Sequence, residues 1–348
     1  MTFETLTVLV TGGTGSLGNA IIRRIMTGEM GKPRKILVFS RDELKQHEMR
    51  IQWHQGRSPI EDLRDFSPKD ILEFHVGDIR LYDTLMPVLR RADIVINAAA
   101  LKQVPQCEYF PFEAVRTNIE GAYNLVRGIS EHRLPVQKVV TISTDKACKP
   151  VNVMGMTKAL QERVILSANM ECPETNFMAV RYGNVIASRG SVVPHFQSQV
   201  NAGGPVTVTS AEMTRFLLSL DQAVDTVFEA LRSGRPGETI VPKAPSGQVI
   251  DIVRAMIGPR SIPIEVIGIR PGEKIHEILI SEEECRRTSE RNGYYVIHSI
   301  LPEITNYSIN PVRTTEYCSS ENLLSLEEVQ FCLNNSGFGY HGKFVQAR

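Results

Sequence analysis

A glycine-rich loop near the amino terminus constrains the fold of this chain more than any other feature. Residues 11–18 read TGGTGSLG and lie between an apolar run, Leu6–Val10, and a helical pattern, Ser16–Met26. Glycines spaced three apart between a strand and a helix let the backbone approach a pyrophosphate at the positive end of the helix. Surface turns are also glycine-rich, so the flanking strand and helix are what indicate a dinucleotide site. The residues expected there are Gly12, Thr14, Gly15, Ser16, Leu17 and Gly18.

Apolar runs alternate with helical patterns over the first half of the chain. Runs such as IVINAAA and KVVTIS are typical of strands buried on both faces of a parallel sheet. The alternation predicts an α/β fold with a Rossmann-type doubly wound parallel sheet. Strands are predicted at Leu6–Val10, Lys35–Phe39, Ile94–Asn97, Lys138–Ile142 and Phe177–Tyr182. Helices are predicted at Ser16–Met26, Phe112–Ser130 and Val153–Ala168.

The pattern changes after about residue 184, where glycine and proline become more frequent and the apolar runs shorten. This change predicts a smaller C-terminal lobe built from excursions out of the main sheet. We expect a cofactor-binding Rossmann domain over residues 1–184, to which later segments return. A mainly substrate-binding lobe would follow over 185–300, and the sequence assigns no role to an extension over 301–348.

Composition disfavours several other classes of protein. The 39 basic and 39 acidic residues balance, whereas nucleic-acid binders usually carry a basic excess, so we expect no nucleic-acid partner. A signal peptide and an apolar run of roughly 20 residues are both missing, so no membrane insertion is expected. Six scattered cysteines without C-x-x-C indicate reduced thiols in the cytoplasm. His195 and His276 lack partners at metal-ligand spacing, so we interpret both as structural and predict no metal.

The end of the second predicted strand favours NADP over NAD. An NAD-binding domain usually has an acidic residue there for the ribose hydroxyls, but here Ser40 and Arg41 come first and Lys45 follows one turn later. A hydroxyl and two cations suit a 2′-phosphate, although an exposed basic helix start would show the same residues. The remaining expected cofactor contacts follow the third and fourth strands. They are Asp78 and Ile79 beside the adenine, and Ala98 and Ala99 beneath the cofactor.

An aspartate and a lysine follow the fifth predicted strand. Asp145 and Lys146 would therefore lie at the carboxyl edge of the sheet, where open α/β folds bind ligands. Such a pair can divide the work of a general acid and a general base. A surface pair that caps the next loop is an equally good interpretation of the position alone.

Longer segments resemble the extended short-chain dehydrogenase/reductase superfamily, and within it the UDP-N-acetylglucosamine 4,6-dehydratases. The resemblance covers roughly residues 5–285 and is closest to the 5-inverting enzymes of capsule, O-antigen and flagellin-sugar synthesis. The superfamily's Tyr-x-x-x-Lys is here Met154-Gly155-Met156-Thr157-Lys158, so the chain is similar to the soluble capsule type, which has Met in place of Tyr. The segments that carry the resemblance are AAALKQVPQCEYFPFEAVRTNIEGAYNL, STDKACKPVNVMGMTKA, RYGNVIASRGSVVPHF, MTRFLLSL and IRPGEKIHE.

This resemblance implies a lyase that removes water from UDP-N-acetylglucosamine and inverts C5. The product would be a UDP-2-acetamido-2,6-dideoxy-4-hexulose of L-arabino configuration. NADP would take a hydride from C4 and return it to C6, so the cofactor is regenerated in each cycle. The C5 proton leaves more easily once C4 is a ketone.

The resemblance also implies a role for each candidate catalytic residue. Asp145 would be the acid for the C6 hydroxyl, and Lys146 the base at C5. Thr144 would hydrogen-bond O4, Lys158 would hold the nicotinamide ribose, and Met154 would line the pocket. Without the tyrosine, either Lys146 or a water would take the O4 proton.

A UDP-sugar substrate needs cations and amide donors for its two phosphates. Arg215 and Arg270 are candidate phosphate ligands, with Glu273 on the uridine ribose. Lys102 would reach the sugar or the cofactor, and Asn184 and Ser191 would meet the sugar diphosphate. Each of these residues taken alone is more often a solvated surface group.

Two other functions remain open at this point. One is a nucleotide-sugar 4-epimerase or reductase of the same superfamily, which the missing tyrosine disfavours. The other is a non-catalytic NADP-binding regulator, which the retained Asp145, Lys146 and Lys158 disfavour. In either case we expect a homo-oligomer, for which a hexamer is one candidate, because the family tends to assemble through helices beside the active site.

Overall fold

The structure is a computed structural model that describes residues 2–54, 68–186, 192–305 and 307–340. In that part of the chain the strands are β1 (Thr7–Thr11), β2 (Lys35–Ser40), β3 (Leu72–Val76), β4 (Ile94–Asn97), β5 (Lys138–Thr144), β6 (Asn176–Tyr182), β7 (Asn184–Val185), β8 (Val206–Val208), β9 (Thr214–Leu218), β10 (Thr239–Pro242), β11 (Ser246–Gln248), β12 (Ile264–Val266), β13 (Ile278–Ile280), β14 (Thr288–Arg291), β15 (Tyr294–Ile297) and β16 (Tyr317–Cys318).

The α-helices within the same ranges are α1 (Ser16–Met26), α2 (Glu43–His54), α3 (Pro68–Ile71), α4 (Tyr82–Leu89), α5 (Val104–Tyr109), α6 (Pro111–Ala114), α7 (Gly121–His132), α8 (Val153–Ser167), α9 (Val192–Asn201), α10 (Leu220–Ser233), α11 (Val249–Ile257), α12 (Glu282–Cys285) and α13 (Leu326–Asn335). A π-helical segment, Val115–Glu120, joins α6 to α7. Short 3₁₀ turns lie at Asp145–Ala147 and Ala168–Met170.

The central sheet confirms the predicted α/β fold class. Its strand order is β14-β15-β10-β6-β5-β4-β1-β2-β3, and the strands from β3 to β10 run parallel. The order 3-2-1-4-5-6 within it is that of a doubly wound dinucleotide-binding sheet. At the far edge β15 and β14 are antiparallel additions. All five predicted strands are present, and the predicted helix Phe112–Ser130 is divided by the π-helical segment.

Helices cover both faces of this sheet. In β1, Val8 and Val10 pack with α1 and α10 on one face, whereas Leu9 packs with α4 and α7 on the other. Side chains alternate between faces along a strand, so a strand that is apolar throughout must be covered on both sides. This burial explains the continuous apolar runs in the sequence.

A second apolar core lies in the C-terminal half. Helices α9, α11 and α13 pack there with β8 and β9, around side chains such as Phe196, Val253 and Leu333. Strands β10, β14 and β15 return from this half to the main sheet, while β16 pairs with β13. Within the described residues, none of the helices is both long and apolar enough to span a membrane.

Candidate active site

The loop between β1 and α1 is built for close backbone contact. Gly12 has a φ of +63°, and a Cβ on it would lie 2.8 Å from backbone atoms of Ala98 and Ala99. A Cβ on Gly18 would lie 2.6 Å from the Gly12 carbonyl oxygen. Gly15 precedes the helix and offers no capping side chain to the amides of its first turn. These features fit a pyrophosphate, which would take hydrogen bonds from those amides.

Buried polar side chains connect this loop to Lys158, one of the two predicted catalytic lysines. Thr11 Oγ1 donates to Asn97 Oδ1 at 2.7 Å, and Asn97 Nδ2 donates to Thr141 Oγ1 at 3.2 Å. Gln161 Nε2 donates to the same hydroxyl at 3.2 Å and accepts from Lys158 Nζ. Because buried polar groups are costly when unpaired, this chain of hydrogen bonds fixes β1, β4, β5 and α8 relative to one another.

Of the residues that we predict to bind the 2′-phosphate, Ser40 contacts the glycine loop, and Lys45 lies in the first turn of α2. Thr14 Oγ1 donates to Ser40 Oγ at 3.1 Å, which joins the loop to the end of β2. Lys45 Nζ donates to the Asp42 carboxylate, and Asp42 also accepts from the Lys45 amide at 3.0 Å. The acidic group at this strand end is therefore engaged by its own helix, while Arg41 is exposed.

The residues predicted near the adenine have partners within the protein. The Asp78 carboxylate accepts hydrogen bonds from the Arg80 guanidinium at 2.6 and 2.9 Å. Burial alone would raise the pKa of Asp78, but these hydrogen bonds lower it below its usual value. Ile79 is buried, and its carbonyl accepts from Asn124 Nδ2 at 2.9 Å.

A tight turn after β5 carries three predicted catalytic residues. Thr144 Oγ1 donates to Asp145 Oδ1 at 2.9 Å, and Lys146 Nζ donates to the same oxygen at 3.0 Å. The turn lies directly against α8, because a Cβ on Gly155 would approach the Lys146 carbonyl oxygen to 2.2 Å. The glycine next to Met154 thus lets the acid–base turn contact the helix that carries Lys158.

Sequence reasoning missed a second carboxylate in this cluster. Glu277, just before β13, has Oε1 at 3.1 Å from Lys146 Nζ and at 3.9 Å from Arg215 Nε. Asp145 is fully buried and Glu277 is 2% exposed, so the lysine ammonium lies between two buried carboxylates. The signal was the final residue of the IRPGEKIHE segment, which a single sequence does not pair with a lysine far earlier in the chain.

The charges in this cluster determine where protons reside. Burial and the negative charge of Glu277 raise the pKa of Asp145, although Lys146 opposes them. Burial would lower the pKa of Lys146, but the carboxylates of Asp145 and Glu277 raise it. Burial would raise the pKa of Glu277, but Lys146 and Arg215 lower it. Of the two carboxylates, Glu277 is therefore the more firmly held as an anion, and Asp145 is the one that takes up a proton more readily.

Lys158 and Met154 both lie inside the protein. Lys158 is 5% exposed, its Nζ donates to the Ile142 carbonyl as well as to Gln161, and burial lowers its pKa to about 8. Met154 packs in a small apolar cluster with Cys107 and Ala114. A thioether among apolar neighbours has no proton to exchange, so it cannot take over the phenol chemistry of a tyrosine.

The segment that contains Arg270 and Glu273 is tied to the acid–base turn. Lys274 Nζ donates to the Cys148 carbonyl at 2.6 Å, and Asn152 Nδ2 donates to the Gly272 carbonyl at 2.8 Å. Arg270 is exposed, whereas Glu273 Oε2 is buried without a hydrogen-bond partner among the described residues. The unpaired oxygen is a place for a ligand hydroxyl to donate.

Of the other predicted substrate residues, Arg215 and Asn184 lie close to the same turn, on different elements. Arg215 is 8% exposed, and its guanidinium donates to the Thr214 and Ile275 carbonyls at 2.7 and 3.1 Å. Asn184 follows Gly183, which lies against the Asp145 carboxylate, and Asn184 Oδ1 is buried without a partner in the described ranges. Lys102 is exposed in the segment that follows β4. Ser191 lies outside the described residues.

A buried asparagine in the π-helical segment also positions the site. Asn118 Oδ1 accepts from the Leu101 amide at 2.8 Å, and its Nδ2 donates to the Leu101 carbonyl at 3.1 Å and to Thr157 Oγ1 at 3.0 Å. It therefore holds the segment before Lys102 against α8. The irregular helix around a buried polar residue was not foreseen from the sequence, which reads there as an ordinary amphipathic helix.

Known proteins resemble this chain over most of its length. Residues 8–299 match the protein family described as "Polysaccharide biosynthesis protein". A protein of Rickettsia akari named "UDP-glucose 4-epimerase" is 40% identical over 301 residues, which cover 85% of this chain and 83% of that protein. A Rickettsia bellii protein with the same name is 41% identical over 300 residues, with the same coverage.

Solved structures agree with these sequence matches. The structure of Pen from Bacillus thuringiensis has a TM-score of 0.85 and 34% identity, and covers 96% of this chain and 100% of its own. DesIV, a dTDP-glucose 4,6-dehydratase from Streptomyces venezuelae, has a TM-score of 0.65 at 18% identity, covering 78% and 87% of the two chains, and shares the fold. The family match and the close relatives together show that this chain belongs to the family of polysaccharide biosynthesis proteins.

Proposed function

We propose that this protein is a nucleotide-sugar enzyme that removes water from UDP-N-acetylglucosamine across C5 and C6 and inverts C5, as a step in surface-polysaccharide synthesis. The observation that carries this proposal is the ion pair between the buried Asp145 and the partly buried Lys146 at the carboxyl end of β5. The pair brings together a proton donor and a proton acceptor. It lies next to a helix that has Met154 at the position of the superfamily's active-site tyrosine.

The residues of the glycine loop fit a nicotinamide dinucleotide, and those at the end of β2 favour NADP. Gly12 and Gly18 let the loop pack closely against neighbouring backbone, as a pyrophosphate-binding turn requires, and Arg41 is exposed beside Ser40. Asp42, which would otherwise accept from ribose hydroxyls, is already paired with Lys45. When bound, NADP would supply oxidation at C4 and reduction at C6.

The protein's own residues would handle the protons. Asp145 and Glu277 raise the pKa of Lys146, so it would take the proton from C5 only after releasing its own, and a proton from solvent would then reach C5 on the opposite face. Asp145, whose pKa is raised by burial and by Glu277, would give a proton to the departing C6 hydroxyl, which leaves as water. Thr144 would hydrogen-bond O4, whose proton would pass to Lys146 or to a water, and Lys158 would hold the nicotinamide ribose.

The substrate would lie between the acid–base turn and the C-terminal half. Arg215 and Arg270 would bind the two phosphates, and the unpaired Glu273 Oε2 would accept from a uridine ribose hydroxyl. Asn184 Oδ1, also unpaired within the described residues, would accept from the sugar, and Lys102 would reach it from β4.

A UDP-sugar 4-epimerase is the second candidate, because the Rickettsia relatives at 40 and 41% identity carry that name. An epimerase returns the hydride to C4 and loses no water. It would have to work here without the tyrosine that such enzymes generally use, since Met154 takes that position.

Mass spectrometry on the purified protein separates these functions. With NADP and UDP-N-acetylglucosamine, a dehydratase gives a product lighter by one water, and this is the result we expect. An isobaric product that interconverts with the substrate would establish the epimerase. Unchanged substrate, together with measurable NADP binding, would leave only a binding role.

We also propose a homo-oligomer, for which a hexamer is one candidate size. Helices α5, α6 and α8 expose large apolar side chains, among them Tyr109 at 80%, Phe112 at 67% and Met156 at 52%. Exposed apolar groups concentrated beside one another are typical of an interface between subunits. Light scattering should give a multiple of the 38.9 kDa chain mass, and a monomer would contradict the proposal.

A further inference from the structure

We propose that Glu277 is a positioning residue of the acid–base centre, and that Ser319 in the C-terminal segment holds it in place. Glu277 would keep Lys146 beside Asp145 and supply the negative charge that sets the pH at which both groups work. This inference rests on the proposed dehydration, to which it adds a residue and a role for the end of the chain.

The position of Glu277 separates it from an ordinary surface ion pair. Its Oε1 lies 3.1 Å from Lys146 Nζ, and Asp145 Oδ1 lies 3.0 Å from the same nitrogen. Both carboxylates are almost completely buried, so water does little to screen them from the lysine. One ammonium bridges two carboxylates that come from distant parts of the chain.

The backbone of Glu277 is fixed by Ser319. The Glu277 amide donates to Ser319 Oγ at 2.9 Å, and the Ser319 amide donates to the Glu277 carbonyl at 2.8 Å. Ser319 is fully buried, and its hydroxyl lies 2.7 Å from Thr214 Oγ1, beside Arg215. It directly follows β16, which pairs with β13. Residue 319 lies beyond the 8–299 region that matches the family, so this support comes from the C-terminal segment.

Each carboxylate has one oxygen left over. Asp145 Oδ2 and Glu277 Oε2 are buried, and neither has a hydrogen-bond partner among the described residues. A buried acceptor without a donor is destabilising, so a proton or a substrate hydroxyl would be favoured at these oxygens. A centre that gives and takes protons needs such unfilled acceptors, whereas a purely structural ion pair does not.

The negative charge of Glu277 should shift the pKa values of its neighbours in a direction that can be measured. A negative neighbour favours the protonated form of both Asp145 and Lys146. If that charge is removed, both groups lose their protons at lower pH. The base limb and the acid limb of the rate profile then move together toward acid pH, a result that loss of folding or of substrate binding does not give.

The first experiment compares pH profiles of kcat for the wild type, Glu277→Gln and Glu277→Asp, with Glu316→Gln as the control. Glu316 pairs with the exposed Lys149 at 2.8 Å, so its variant loses a carboxylate of the same type outside the cluster. We expect Glu277→Gln to lower kcat by about 10- to 100-fold and to move both limbs toward acid pH. Glu277→Asp should restore the position of the limbs. A Glu277→Gln profile with unmoved limbs would overturn the proposal.

A second readout does not depend on the substrate. The rate at which acetic anhydride modifies Lys146, followed by mass spectrometry over a pH series, reports the protonation of that amine. The modification should set in at lower pH in Glu277→Gln than in the wild type, and Ser319→Ala should shift it in the same direction by less.

If the wild type fails to dehydrate UDP-N-acetylglucosamine but this shift appears, the proposed function fails and the role of Glu277 stands. Dehydration without the shift refutes the role of Glu277 alone. Should Glu277→Gln not fold, Ser319→Ala decides by the same criterion.

Discussion

The glycine loop, on the side of the proposed cofactor, and the acid–base cluster are built in different ways. The cofactor side consists of backbone: a contiguous loop in which Gly12 and Gly18 allow contacts that a Cβ would block. The acid–base side consists of side chains that arrive from three separate segments, with Asp145 and Lys146 after β5, Arg215 in β9 and Glu277 before β13. The cofactor side tolerates few changes of shape, whereas the acid–base side depends mainly on the charges of its side chains.

This difference predicts that the two sides can be damaged separately. A change in the loop should reduce cofactor affinity through sterics. A change in the acid–base centre should reduce the rate and alter its pH dependence while the cofactor still binds.

Lys146→Ala should have the largest effect. Loss of the proposed base should lower the rate of water loss by about 10²- to 10⁴-fold. The Kd for NADP, measured by fluorescence titration, should stay within about twofold, because Lys146 contacts the carboxylates and not the glycine loop. A variant that keeps full dehydration would remove Lys146 from the mechanism.

Gly12→Ala should weaken NADP binding at least about tenfold, equivalent to about 1.4 kcal/mol. The new Cβ would lie 2.8 Å from the Ala98 and Ala99 backbone at a φ of +63°. Gly203→Ala is the matched control, because Gly203 has a φ of +87° but no atom within 4 Å of a Cβ. It should cost about 1–2 kcal/mol of stability and leave the Kd unchanged. Equal Kd values for the two variants would contradict the steric account.

Arg41→Ala tests the cofactor preference at the end of β2. Loss of the exposed guanidinium should weaken NADP binding about tenfold and leave NAD binding unaffected, because only NADP carries the 2′-phosphate. Isothermal titration at two salt concentrations measures both affinities. Arg90→Ala, another exposed arginine, serves as the control. If the affinities for NADP and NAD fall equally, Arg41 does not bind the 2′-phosphate.

Lys158→Met should change the pH dependence of stability. Burial lowers the pKa of Lys158 to about 8, so the unfolded chain holds this proton more tightly than the folded one. Wild-type stability should therefore rise relative to the variant between about pH 8 and pH 10, by at most about 1.4 kcal/mol per pH unit. Urea unfolding of the cofactor-free proteins measures this difference, and parallel curves would show that Lys158 does not titrate there.

Features made of contiguous residues were predicted from the sequence, whereas contacts between segments far apart in the chain were missed. The glycine loop, the parallel sheet and the Asp145–Lys146 turn each follow from contiguous residues whose pattern has a physical meaning. Glu277 could not be found that way, because its partner is decided by how β13 packs against the turn after β5. Asn118 was missed for a related reason, since its buried hydrogen bonds are to Leu101 and Thr157, which lie on other segments.

The roles assigned to Asp145 and Lys146 came from the resemblance, while their burial came from the structure. A charged pair after a strand is usually exposed, and a sequence does not reveal the apolar and ionic surroundings that shift a pKa. Those surroundings include Glu277 and Arg215, which chain order places far away.

The fate of the hydrogen at C4 tests the central claim most directly. Wild-type protein with NADP should be given UDP-N-acetylglucosamine that carries deuterium at C4, and the product examined by NMR. The account predicts that the deuterium is found in the C6 methyl group of a product that has lost one water. Deuterium that remains at C4 of a sugar with its C6 hydroxyl intact would contradict the account.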